Sequence, residues 1–358
     1  MKIYEVVGLM SGTSLDGLDM ACVRFSYESR WQHEVIWCES IKYEHRWKDQ
    51  LKKAMLLSGL ELKKLDLAYG DWLGSAVNSF IEKYRISPEL IVSHGHTIFH
   101  QPGIGLTMQI GDGYRIFKST GIKTVCDLRS MDVALGGQGA PLVPIGDKLL
   151  FGHYDYCLNL GGFSNISFDH DGQRLAFDVG PVNTVLNHLA ARLGLEYDEH
   201  GALAKSGKIL PELLRQLNEL PYYQYRPPKS LGIEWVQEQI IPLFGLEKET
   251  ALLHTFCHHI TEQIIKAADM KSQKNRIQEI LVTGGGAKNT FLIELLRQKA
   301  GSDYQIILPD FQLIDFKEAI IFAFLGLLKV LGQPNCLESV TGANTNSSGG
   351  IIIENSAC

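Results

Sequence analysis

The feature that most constrains this chain is that its plan occurs twice. Ile3, Tyr4, Val6 and Val7 read as a buried strand, Ala21, Cys22, Val23 and Phe25 as its return partner, and Glu34 to Ile41 as a third strand. An amphipathic helix carries Leu65, Tyr69, Trp72, Ala76 and Phe80 on one face, and Ser87-Pro88 stops it. Leu90-Ile91-Val92 is then a short buried strand ending in a turn at Ser93-His94-Gly95-His96-Thr97. Residues 156–160 and 166–168 repeat the hairpin, Arg174 to Phe177 the third strand, and Leu253, Phe256, Ile260 and Ile264 the helix. Ile280-Leu281-Val282 repeats the buried strand, ending in Thr283-Gly284-Gly285-Gly286 before a helix from Asn289. A duplication of this kind in 358 residues predicts two α/β domains with a cleft between them. The expected division is 1–140, completed by 315–358, against 141–314, with Leu135 to Pro141 as a glycine-rich crossing.

The polar residues sit at the hairpin tips. Between the first two strands lie Gly12, Thr13, Ser14, Leu15, Asp16, Gly17, Leu18 and Asp19. Glycines let backbone N–H groups approach an anion closely, and hydroxyls add donors. Asp16 and Asp19 would repel bare phosphate unless a divalent cation lay between, which points to a magnesium nucleotide. An ordinary hairpin turn uses the same residue types, so one such turn proves nothing. The second hairpin offers Gly161, Gly162 and Asn165, and the later turn offers Gly284, Gly285, Gly286 and Asn289 at a helix start. Three glycine turns at matching places in duplicated halves carry more weight.

Asp178 is the candidate base. Asp178-Val179-Gly180-Pro181 reads as the entry to a helix from about Val182 to Leu193, where the helix dipole would hold a carboxylate ionised. A plain helix cap is the commoner use of such an aspartate. His94 and His96 either hydrogen-bond a substrate or close their turn, because i, i+2 spacing fixes a metal-binding face only on a strand. Glu318, at the start of an apolar helix, either points into the cleft or is a favourable first-turn charge. Leu220 to Ser230, dense in tyrosine and proline, is either a rigid surface connection or an aromatic wall for a sugar. Only the tail after Thr341 looks loose.

Composition excludes several classes. A net charge of −6 leaves no basic footprint for nucleic acid and no polybasic membrane segment. Seven cysteines without a CxxC pair suggest neither a zinc site nor a disulfide framework, so a reducing cytoplasm is expected. The N-terminus has no signal-peptide pattern, and Lys317, Glu318 and Lys329 bracket Ile320 to Leu328 too closely for a membrane span.

Taken in order, the motifs resemble those of the anhydro-N-acetylmuramic acid kinases. They are GLMSGTSLDGLD, SHGHT, DLRSMDVALGGQGAPLVP, LNLGGFSNIS, FDVGPVN, YDEHGALAKSG, PPKSLG, TGGGAKN and KEAIIFAFLG, and they span nearly the whole chain. The resemblance implies a fold of the actin, Hsp70 and sugar kinase type, ribonuclease H-like and duplicated around a central ATP cleft. It implies an enzyme that uses ATP and Mg2+ to phosphorylate 1,6-anhydro-N-acetylmuramic acid while water opens the anhydro ring, giving N-acetylmuramic acid 6-phosphate in peptidoglycan recycling. Asp178 matches the family's catalytic aspartate, and Gly12 to Asp19 its ATP-binding stretch, with Asp16 or Asp19 reaching Mg2+ directly or through water. Sugar contacts fall on His94, Gly95, Arg129, Asp132, Gly180, Asn183 and Glu318, and a cytoplasmic homodimer is implied. The other readings are a kinase of a different sugar and a nucleotide-binding sensor of the same fold.

The chain departs from its apparent relatives at four places. Val179 and Val182 stand where FDTGPGN has Thr and Gly, His96 where SHGQT has Gln, and Ile145-Gly146-Asp147 where an aromatic and a His are common. These changes leave phosphate binding untouched and bear on the sugar contacts, through bulk beside the base.

Overall fold

A computed structural model describes residues 2–12, 15–271 and 276–355. Thr13 and Ser14, both expected at the nucleotide, lie outside the described residues. The chain divides by its packing into two units, Met1–Leu150 with Phe316–Cys358, and Phe151–Asp315.

In the first unit, β1 (Ile3–Ser11), β2 (Gly17–Tyr27) and β3 (Trp31–Lys42) form an antiparallel meander. β4 (Leu90–Gln101) runs parallel to β1, β5 (Leu106–Ile110) returns antiparallel along β4, and β6 (Thr124–Cys126) lies parallel to β4 on its other stretch. β1 lies between neighbours and reads as an unbroken apolar run because both of its faces are covered: Val6, Val7 and Leu9 are at most 1% exposed. The helix Phe311–Val330 covers one face from residue 316 onward. Gly8 is required there, since a Cβ on it would strike the carbonyl of Ala319. The apolar stretch Ile320 to Leu328 is therefore a core helix, and no helix among the described residues is long and apolar enough to cross a membrane.

The second unit repeats the order. β7 (Tyr156–Leu160), β8 (Phe163–His170) and β9 (Gln173–Pro181) make the meander, β10 (Gln278–Thr283) runs parallel to β7, and β11 (Tyr304–Ile307) parallel to β10. The strand orders β6-β4-β1-β2-β3 and β11-β10-β7-β8-β9 correspond position for position. This is a duplicated α/β architecture. The helix Glu249–Ala268 buries Leu252, Leu253, Phe256, Ile260 and Ile264 in the core of this unit.

Four expectations need correction. Ser93 to Thr97 are not a turn but the middle of β4, held in the ladder by pairing with β1 and β5. Asp178 lies inside β9, and the helix that follows is Asn183–Ala191, so no helix N-terminus holds its carboxylate. The second hairpin turn is tighter than expected, because β8 starts at Phe163 and Asn165 is a strand residue. The tail after Thr341 supplies β12 (Ile351–Ile353), which pairs antiparallel with β6.

Candidate active site

At the tip of the first hairpin, Leu15 adopts φ +60° and its N–H reaches the Gly12 carbonyl at 3.4 Å. Gly17 is needed for strand packing, because a Cβ would meet the Ile41 carbonyl on β3. Leu18 is 1% exposed, so its side chain serves the core and only its backbone can serve a ligand. Asp16 is exposed, whereas Asp19 is half-buried and accepts a 2.5 Å hydrogen bond from the Ser40 hydroxyl.

Beneath this tip lies a buried polar chain. The Ser11 hydroxyl is 2.9 Å from His96 Nδ1 and 2.6 Å from the Tyr43 hydroxyl, which is 2.5 Å from that of Tyr69. Burial pushes His96 down to about 4, so the ring is neutral. His94 has a different role. Its Nδ1 lies 2.8 Å from the Gly95 carbonyl, which can only accept, so Nδ1 carries the proton and Nε2 accepts the 2.9 Å bond from Arg129 Nε. Gly95 has φ +73°, and a Cβ would stand 2.6 Å from the Ile110 carbonyl. Arg129 also donates from Nη1 to the Gly139 carbonyl at 2.5 Å, and burial pulls its pKa down to about 10.

Glu318 is exposed, yet lost hydration still raises its carboxyl, against the lowering pull of Arg129 and Lys317 and with a further raising effect of Asp19. Glu318, Arg129 and Asp19 therefore share one electrostatic neighbourhood. Asp132 also acts on Arg129, but from a carboxylate already engaged within the first unit. It is 1% exposed, with Oδ2 taken by the Gly139 N–H at 2.7 Å and Oδ1 by Thr341 Oγ1 at 2.7 Å and Cys336 Sγ at 3.0 Å. Expected as a sugar contact, it instead ties the Gly136 to Gly139 loop to the C-terminal segment, and the loop in turn holds Arg129.

In the second unit the strand register builds a row of polar side chains. Thr283 on β10 pairs with Asn159 on β7, Asn159 with Asn165 on β8, and Asn165 with Asp178 on β9. Directly paired residues share a face, so these four stand side by side at one edge of the sheet. The glycine turns close around the same edge. Gly284, at φ +82°, would carry a Cβ 2.5 Å from Asn159 Oδ1, and one on Gly286 would lie 2.7 Å from the Leu160 Cβ. Gly161 and Gly162 accept from the N–H groups of Asn183 and Thr184, and Asn183 Nδ2 donates to the Leu160 carbonyl. Asn289 caps the helix Thr290–Ala300 by accepting the Leu292 N–H at 3.0 Å.

Asp178 is held by the loop that follows Pro221. The Leu231 N–H donates to Oδ2 at 2.9 Å, the Tyr222 hydroxyl donates to the Asp178 carbonyl at 2.6 Å, and the Asp178 N–H donates to the Lys229 carbonyl at 3.1 Å. Burial raises the Asp178 carboxyl above the usual carboxylate value, and the Leu231 N–H opposes that rise. The expected dipole-stabilised carboxylate is thus a desolvated one. Gly180 accepts a 2.9 Å bond from Ser164 Oγ through its carbonyl, and its Cα is backed by the Tyr223 ring. Neither Leu231 nor Tyr222 was legible as a partner of Asp178, since only a register across β9 and a distant loop joins them.

The departures from the relatives' pattern turn inward. Val179 and Val182 are 3% and 0% exposed in the core of the second unit. His96 holds Ser11, and Asp147 pairs with Lys317 at 2.7 Å with both side chains 5% exposed. Gly146 permits this close approach, since a Cβ would lie 2.6 Å from Ile321. Among the described residues there is no set of three or more His, Cys, Asp or Glu side chains arranged to hold a metal ion. Magnesium bound to phosphates needs only one or two carboxylates, which Asp16 and Asp19 can supply beside the tip of the first hairpin.

The family model described as anhydro-N-acetylmuramic acid kinase matches residues 4–355. A protein of that name from Shewanella putrefaciens is 36% identical over 375 aligned positions, covering 96% of this chain and 97% of its own. Another, from Shewanella oneidensis, is 36% identical over 367 positions, covering 96% of each. Among solved structures, component A of the (R)-2-hydroxyglutaryl-CoA dehydratase of Acidaminococcus fermentans is similar with a TM-score of 0.46 at 11% identity, covering 89% of this chain and 96% of its own.

Proposed function

The chain belongs to the anhydro-N-acetylmuramic acid kinase family, and from that premise we propose that Asp178 is the general base of its reaction. The protein is an ATP-dependent sugar kinase that phosphorylates 1,6-anhydro-N-acetylmuramic acid with hydrolytic opening of the anhydro ring, a step of peptidoglycan recycling. The observation that carries the assignment is the Asp178 carboxylate itself. One oxygen is fixed by the Leu231 N–H, the other makes no hydrogen bond among the described residues, and burial lifts the pKa toward the range where a base works well.

In this mechanism Asp178 takes a proton from water as the water oxygen bonds to the anomeric carbon. The bond from that carbon to O6 breaks, and O6 takes the γ-phosphoryl group while ADP leaves. Phosphorylation of O6 stands in for the proton that a glycosidase acid would give the leaving oxygen. Arg129, oriented by His94 and Gly139, together with Gly95 and Glu318 in the first unit, and Gly180 and Asn183 in the second, are the groups we assign to the sugar. The backbone of Gly12 and of Leu15 to Asp19, together with Gly161, Gly162, Asn165, Gly284, Gly285, Gly286 and Asn289, are the groups we assign to ATP. Asp16 and Asp19 would hold Mg2+, directly or through water, and the ion would neutralise phosphate charge. A cytoplasmic homodimer completes the proposal, and light scattering of the purified protein tests the dimer.

The deciding experiment is incubation with ATP, Mg2+ and 1,6-anhydro-N-acetylmuramic acid, following ADP and product mass. A product that gains both phosphate and water is expected. Phosphate gained without water would mean phosphorylation without ring opening, and no ADP above background would sink the reading.

A further inference from the structure

We propose that the second unit carries a separate anion site, on the face of β9 turned away from Asp178, and that it takes a small phosphate monoester borne on a ring. The cavity holds about 190 Å³ and is walled by Phe177 and Val179 of β9, by Tyr225, Arg226 and Lys229 of the loop, and by Lys266 of the helix Glu249–Ala268. That is the room of about six waters, enough for a phosphate and part of a ring. Phe177 precedes Asp178 in regular register, so alternation sends its side chain to the opposite face, and Val179, at a β-bulge, lines the same cavity.

The charges in this cavity do not balance. Arg226, Lys229 and Lys266 converge on it, and no carboxylate is among its described lining residues. Lys229 Nζ donates to the Tyr222 carbonyl at 3.2 Å and lies 4.5 Å from the centre of the Tyr222 ring, while Lys266 Nζ donates to the Tyr223 carbonyl at 3.3 Å. Those bonds knit the loop, but carbonyls are neutral, and an ammonium has three donors. Burial pulls the Lys229 pKa down, and the charge of Lys266 adds to that pull. Three cations suit a phosphate monoester, with its charge of about −1.5 to −2 at neutral pH, better than a single carboxylate. Phe177 and the 61% exposed Tyr225 offer ring faces beside it.

The site is joined to Asp178 through the backbone. Lys229, which would grip the anion by its side chain, accepts the Asp178 N–H at its carbonyl, and Leu231 holds the carboxylate two residues on. Occupancy at this site would therefore stiffen the loop that aims Asp178. This consequence, unlike the binding itself, rests on Asp178 being the base.

The test is calorimetric titration of the full chain with N-acetylmuramic acid 6-phosphate and with inorganic phosphate, using wild type and the double variant Arg226→Gln, Lys266→Gln. Wild type is expected to show two classes of monoester site. The double variant should lose one, by at least about tenfold in affinity, while ATP affinity stays unchanged. Lys266→Arg should keep that class, because the charge is retained. Equal stoichiometry and affinity in wild type and the double variant would overturn the proposal whatever the role of Asp178, and a single class that the double variant loses would count against the proposed reaction instead. Inorganic phosphate binding at least about tenfold more weakly than the monoester supports ring recognition, and equal binding overturns that part.

Discussion

The Leu231 N–H donates to Asp178 Oδ2 at 2.9 Å across a sequence separation of 53, so the candidate base is aimed by a loop rather than by its own strand. The strand fixes where Asp178 is, and the loop fixes which way its carboxylate faces. It also excludes water from one side, which is why burial outweighs the N–H and the pKa rises.

Replacing Asp178 by Asn keeps the acceptor for Leu231 and removes the base. Turnover should fall by about 10²- to 10⁴-fold, with ATP affinity retained. Steady-state ADP release and a nucleotide titration measure the two. Near-normal turnover would remove Asp178 from this role.

The raised pKa has two readable consequences. Because the base must be ionised, kcat/KM should rise with pH through the raised value and flatten above it. A carboxyl whose folded pKa exceeds its unfolded one favours folding below the unfolded value, and that advantage is lost as pH rises through the folded one. Asp178→Asn should therefore unfold at a higher temperature than wild type at neutral pH, with the gap closing in acid. A thermal melt across pH checks the sign.

His96 gives the opposite dependence. Its folded pKa, about 4, lies below the ordinary histidine value, so its contribution to stability is complete above the unfolded pKa and is lost as pH falls from there toward 4. The loss is on the order of 3 kcal/mol. His96→Gln, which can still bond Ser11, should make urea stability less steep between those limits. An unchanged slope would place the sensitivity elsewhere.

The buried Asp147–Lys317 pair stands one residue from Glu318. Lys317→Met alone removes the cation that faces a buried carboxylate and should cost about 3–5 kcal/mol in chemical denaturation. Joint replacement with Asp147→Leu should recover most of that loss. Additive effects of the two changes would show that the pair is not energetically coupled.

Gly284→Ala tests the glycine turn of the second unit. A Cβ there meets Asn159 Oδ1 at 2.5 Å and the Leu160 carbonyl at 2.9 Å, at φ +82°. Strain of about 1–3 kcal/mol is expected, together with weaker ATP binding. Gly172→Ala, at φ +79° with nothing within 4 Å of the added carbon, controls for strain alone. Equal ATP affinity in both variants would exclude the Gly284 turn from the nucleotide site.

Much of the fold was legible in the sequence. The meander strands, the buried fourth strand of each half and the apolar C-terminal helix follow from periodicity, because a residue's face is set by its neighbours two or four positions away. The expectations that failed share a cause. Ser93 to Thr97 look like a turn by composition, but pairing with β1 and β5 keeps them extended. Asp178 looks like a cap, but pairing with Asn165 draws it into β9. Val179, Val182, His96 and Asp147 lie beside site motifs, and burial of all four is likewise set by packing that the local pattern does not carry.

The sequence by itself therefore determined the duplicated plan, the glycine turns at matching places and the choice of Asp178, all carried by local pattern and by motifs in order. Tertiary structure alone decided the polar row Thr283, Asn159, Asn165 and Asp178, the grip of Leu231 on the carboxylate and the bond from Arg129 to His94. Register and long-range hydrogen bonds join these residues across as many as 124 positions, and pairing at that distance leaves no periodic trace in the chain.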